Sequence, residues 1–261
     1  MNIVTLGLLA VLVAGTLDVE MAVITGGEYR PLYFSKNSEQ ISVSSFILDI
    51  TPVSNIQFFE FIGHTPAWKK SSIPTLFTED TYLGHWSQHD NVWQPEPSQN
   101  QEAVTNVPWF AAQAYCEVQG KRLPTVAEWE FVARASESRP DGSEELGYNQ
   151  RILNWYARPN LNANIGQTPN NYWGVKDLHG LIWEWTQDFN SNLISGESRA
   201  DASIDTRLYC AAAATDAADP SDYAAFMRYG FRSSLKARFA ISNLGFRCAG
   251  SADDAKEGVG D

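Results

Sequence analysis

The residues with the widest chemical range in this chain are three cysteines, Cys116, Cys210 and Cys248, and a histidine pair, His85 and His89, in the run YLGHWSQHD. Thiolates and imidazoles ligate transition metals, and a thiolate is also a nucleophile. His85 and His89 stand four positions apart, which places two imidazoles on one face of a helix and, with Asp90 beside them, offers a transition-metal site. The nearby Gly84, Asn91 and Pro95 favour a loop instead, in which the pair is plain surface. An odd number of cysteines leaves at least one thiol outside any pairing within the chain; in an exported protein such a thiol is buried, reactive or joined to another chain. His64 and His179 have no partner nearby in the sequence, and His179, in DLHG, reads as a surface or turn residue.

The elements that must position these groups have clear local signals. In LPTVAEWEFVARA, Thr125 and Glu128 have the spacing of a capping box, which starts a helix directly after Pro124. Ser54 and Gln57 repeat the device ahead of Phe58, Phe59 and Phe61. A further helix is expected from near Pro108 to near Gly120, with Ala112, Tyr115 and Cys116 on one face. Asp219, Pro220 and Asp222 start another that runs through Phe226 and Phe231. With 261 residues and no Gly/Ser-rich or Pro-rich linker, one domain over 21–250 is the better reading. Nine tryptophans suit a fold that packs loops onto its core with large flat side chains.

The net charge of −12 opposes binding to phosphate backbones and anionic membrane surfaces, so nucleic acid is excluded as a partner class. Residues 1–20 open with MNIVTLGLLAVLVAGT, an apolar run of signal-peptide length and too short to span a bilayer comfortably. It reads as an export signal or N-terminal extension, which implies a periplasmic or secreted protein with no stable membrane span after processing; a buried N-terminal strand is the alternative. Residues 251–261, SADDAKEGVGD, are small, charged and aperiodic, as expected of a flexible tail.

Three segments carry a resemblance: GKRLPTVAEWE at Gly120 to Glu130, DLHGLIWEWTQD at Asp177 to Asp188, and NLGFRCAG at Asn243 to Gly250. Together they resemble the formylglycine-generating enzyme, or sulfatase-modifying-factor, family. The likeness extends from VITGGEYRP at Val23, through ISVSSFILDITPVSNIQFFEFI, to Gly250. It implies an α+β architecture, the formylglycine-generating-enzyme-like variant of the C-type lectin fold, with a small twisted antiparallel sheet, short helices and much irregular structure.

The resemblance also implies chemistry. Catalytic members oxidise a cysteine of a client sulfatase to formylglycine, using copper held by a pair of thiols. Cys116 and Cys248 match positions joined by a disulfide in secreted members; two buried reduced thiols are the alternative. Aligned backwards from GFRC, FMRYGFRSSLKARF falls on the family's Arg-rich stretch, with Arg228 and Arg232 on its arginines. The preceding CAAAATDAADPSDYAA puts Cys210 near the start of the catalytic motif, and no cysteine follows from Ala211 to Arg247. Two soft thiolates hold copper(I) in a near-linear arrangement that one thiol cannot reproduce. The segment from Asp177 resembles a calcium loop whose ligands would be the Asp177 side chain, the carbonyls of Gly180 and Ile182, and Glu184, although Leu181 replaces the family's more common Asn. A turn cap at Asp177 and a buried Glu184 paired with an arginine form the alternative.

Three function classes follow. The first is a metal-dependent oxidase of a protein cysteine, with Cys210 reactive and Arg228 and Arg232 orienting a client peptide. The second is a non-catalytic relative that binds a client protein in its maturation. A lectin-like ligand-binding module is the third, resting on fold analogy.

Overall fold

The computed structural model describes residues 19–29, 40–157, 163–190 and 223–252. Its central element is β4 (Phe46–Asp49), which has β1 (Met21–Ile24) on one side and β9 (Ala249–Ser251) on the other, both antiparallel. All four β4 residues, Phe-Ile-Leu-Asp, are buried, as expected of a middle strand covered on both faces. Among the described residues there are also three two-stranded pairs. They are β2 (Gly27–Tyr29) with β3 (Ile41–Val43), β5 (Ser87–His89) with β6 (Val92–Gln94), and the parallel pair β7 (Trp183–Glu184) with β8 (Leu244–Gly245).

Three helices begin where the sequence signals place them. Ser54 caps α1 (Asn55–His64) and Thr125 caps α3 (Val126–Ala133), each through a complete capping box. α2 (Trp109–Val118) starts after Pro108 and is followed by Gly120 at φ +69°, a left-handed position that favours glycine. Its buried face is Ala111, Ala112, Tyr115 and Cys116, the expected stripe. α4 (Tyr148–Tyr156) and α5 (Tyr223–Ser233) pack against one another. Phe226 and Phe231 lie on α5 as expected, whereas Asp219, Pro220 and Asp222 fall outside the described residues. Among the described residues no helix is long and apolar enough to cross a membrane.

The described residues form a mixed helix and strand fold with small, mostly antiparallel sheets and no barrel, as the α+β expectation has it. Its larger core is aromatic: Phe58 stacks on Tyr115, and Phe246 meets both rings edge-on. Within this core Cys116 and Cys248 are bonded to one another, tying α2 to the residue before β9. The second core packs Ile24, Phe46 and Leu48 of the sheet against Trp129 and Val132 of α3. Gly245 in β8 lies so close to the Val104 carbonyl that a Cβ there would stand 2.2 Å from the oxygen, which is why the short parallel pair needs a glycine.

Candidate functional site

The arginines of α5 point into the protein. Both Arg228 and Arg232 are buried, and both bind the carboxylate of Glu130 on α3. Arg228 Nε donates to Glu130 Oε1 at 2.9 Å and its Nη2 donates to Oε2 at 2.6 Å. Arg232 Nη1 donates to the same Oε1. Burial by itself would raise the Glu130 carboxyl, but the two guanidiniums outweigh it and hold the group at about 2. Each guanidinium also faces the ring of Trp129, Arg232 at 4.6 Å and Arg228 at 5.5 Å from its centroid. In this arrangement the two arginines fasten α5 to α3; neither presents its guanidinium at the surface.

Trp129 joins this cluster to a second one. Its indole Nε1 donates to Glu184 Oε2 at 2.7 Å, and Glu184 is paired with the buried Arg247 at 2.8 Å. Hence a chain of buried charge and aromatic contact runs from α5 through α3 to β7 and on to the residue before Cys248.

A third branch leaves Arg228. Its Nη1 donates to the Tyr156 hydroxyl at 3.1 Å, and that hydroxyl stands 3.1 Å from His179 Nδ1. His179 Nε2 lies 3.0 Å from the carbonyl of Ala133, which can only accept, so Nε2 carries the hydrogen and Nδ1 accepts from Tyr156. Burial, assisted by Arg228, pushes His179 down to about 3, so it is neutral at ordinary pH. The expectation of a surface or turn position is corrected in one respect: His179 occupies a turn, but a buried one, where Trp129 meets it edge-on and Trp155 stacks on it.

The histidine pair is not on a helix. His89 ends β5, and the connection to β6 is the two residues Asp90 and Asn91, at φ +49° and +65°. Two successive left-handed residues make the hairpin turn whose twist matches the strands, and the Asp-Asn pair was the signal for it. The two imidazoles have separate partners: His85 Nε2 is 3.0 Å from Asn55 Oδ1, and the exposed His89 is 3.1 Å from Glu96. Burial lowers His85 to about 4.

The residues of the calcium expectation all lie among the described residues. Asp177 is buried at φ +59°, and its carboxylate accepts from the amides of Gly166 and Thr168. Gly180, at φ +83°, packs beneath Trp155, and Ile182 is buried just ahead of β7. Both oxygens of Glu184 accept from Arg247, so this donor set as arranged does not fit a calcium ion. Among the described residues there is no group of three or more His, Cys, Asp or Glu side chains placed to hold a metal. Cys210 lies outside the described residues. Glu130 and Arg247, which organise the buried charge, stand inside the quoted segments but were not singled out, because nothing local distinguishes them from surface charges.

Known proteins agree with the resemblance. Residues 12–252 match the family described as the sulfatase-modifying factor enzyme 1-like domain. The inactive C-alpha-formylglycine-generating enzyme 2 of Mus musculus is 29% identical over 84% of this chain and 80% of its own length. The formylglycine-generating enzyme of Streptomyces coelicolor is 31% identical over 87% of this chain and 85% of its own. Among solved structures, PvdO from Pseudomonas aeruginosa aligns with a TM-score of 0.48 and 16% identity, over 88% of this chain and 94% of that one. The chain belongs to the sulfatase-modifying-factor family.

Proposed function

We propose that this protein is a non-catalytic, extracytoplasmic member of its family that binds a client protein or peptide segment during the client's maturation, having lost the copper-dependent oxidation of cysteine. One observation carries the reading. The chain has three cysteines, and Cys116 and Cys248 are bonded to each other, which leaves Cys210 as the single thiol. A near-linear copper(I) site needs two thiolates, and one chain with one thiol cannot supply them. The apolar run at the N-terminus and a disulfide that closes a long loop both suit an oxidising compartment. That a relative of similar length carries the word inactive in its name is consistent with such a loss in this family.

The test is direct. Purified protein loaded with copper is given a peptide containing Cys-x-Pro-x-Arg, and the product is read by mass spectrometry. No formylglycine above the level produced by free copper is expected. Stoichiometric conversion that disappears in Cys210→Ser overturns the reading and establishes instead an oxidase that works with one cysteine.

A further inference from the structure

Arg247 has the surroundings of a bound metal ion. It is fully buried, and each of its five N–H groups meets an oxygen. Nε donates to Glu184 Oε2 and Nη2 to Glu184 Oε1, both at 2.8 Å. The second Nη2 hydrogen goes to the Lys176 carbonyl at 2.9 Å. Nη1 donates to the carbonyls of Asp49 and Ile50, at 3.1 and 2.9 Å. One carboxylate and three backbone carbonyls, drawn from β4 and its end, the approach to Asp177, and β7, therefore converge on a single positive group.

This is the kind of donor set a hard divalent cation gathers from irregular backbone, carboxylate and carbonyls together. Here the oxygens are already satisfied, and the charge of Glu184 is already neutralised. A divalent ion seated on Glu184 would lie against a guanidinium in a dry interior, where like charges repel far more strongly than in water. Asp177 has its own arrangement, with its carboxylate already accepting from two backbone amides.

We infer that Arg247 is the structural cation at Glu184, taking at that carboxylate the place a calcium ion would otherwise take, so that the native state is independent of calcium. This holds whether or not the protein is catalytic. The full-length protein is melted with a calcium chelator and with added calcium, and its metal content is measured after gel filtration. A shift of less than about 1 °C and no stoichiometric calcium are expected, whereas an ion held at a hundredfold its dissociation constant would raise the melting point by roughly 5 °C or more. Arg247→Lys keeps the charge but loses the planar fork; it should melt lower than wild type and gain nothing from calcium. A chelator-induced fall in the wild type that calcium reverses and Asp177→Asn abolishes overturns the inference. Should Arg247→Lys fail to fold, the wild-type melts and metal content decide it alone.

Discussion

The Tyr156 hydroxyl and His179 Nδ1 stand 3.1 Å apart, and that contact fixes the tautomer of a histidine that burial keeps neutral. Because Nε2 donates to Ala133 and Nδ1 accepts from Tyr156, a second proton on the ring would turn Nδ1 into a donor, leave the Tyr156 hydrogen without its acceptor and place a cation beside Arg228.

The consequence is a definite acid sensitivity. His179 falls from 6.5 to about 3 on folding and His85 from 6.5 to about 4, so the unfolded chain takes up protons that the native state refuses. Stability from these groups is complete above the unfolded value of 6.5 and is lost as pH falls toward the folded values. Between about pH 6 and pH 5 each buried histidine should contribute a slope approaching roughly 1.4 kcal/mol per pH unit. Urea denaturation across that interval should show about half the wild-type slope in His179→Gln. An unchanged slope would remove the histidine from the account.

Glu130 holds two guanidiniums, and its loss should cost more than the loss of either. Glu130→Gln leaves both Arg228 and Arg232 buried without a counter-charge and should destabilise by about 3–5 kcal/mol. Arg232→Met leaves Glu130 paired with Arg228 and should cost less. Denaturant midpoints of the two variants check the order, and equal costs would mean that Arg232 alone carries the pairing with Glu130. The Glu130 contribution is lost lower in pH than that of the histidines, as pH falls from 4.5 toward about 2.

The disulfide spans 132 residues, and on chain-entropy grounds its removal should cost about 5 kcal/mol, less any strain relieved. Mass mapping without reductant should recover Cys116 and Cys248 in one linked peptide pair and Cys210 alkylated alone. The Cys116→Ser/Cys248→Ser protein should melt well below wild type, and a melting point that does not move would deny the bridge a stabilising role.

The sequence by itself determined the features whose partners are close along the chain. Ser54 finds the amide of Gln57, and Thr125 that of Glu128, three residues on, so each helix start follows from residue type and spacing alone. The stripe of Ala112, Tyr115 and Cys116 follows in the same way from the period of the helix. The three quoted segments, together with the sparse cysteines, were also enough to raise the family and to question its chemistry before any contact was known. Tertiary structure alone decided which charges meet. Glu130 reaches arginines 98 and 102 residues away, and Glu184 reaches Arg247 across 63. A carboxylate specifies that it needs a positive partner when buried, but not which one, and whether it is buried depends on how distant elements pack. The histidine pair shows the same limit from the other side. Its spacing of four is compatible with a helix, yet the left-handed turn at Asp90 and Asn91 folds that stretch into a hairpin, and a turn of two residues overrode the period of the segment before it.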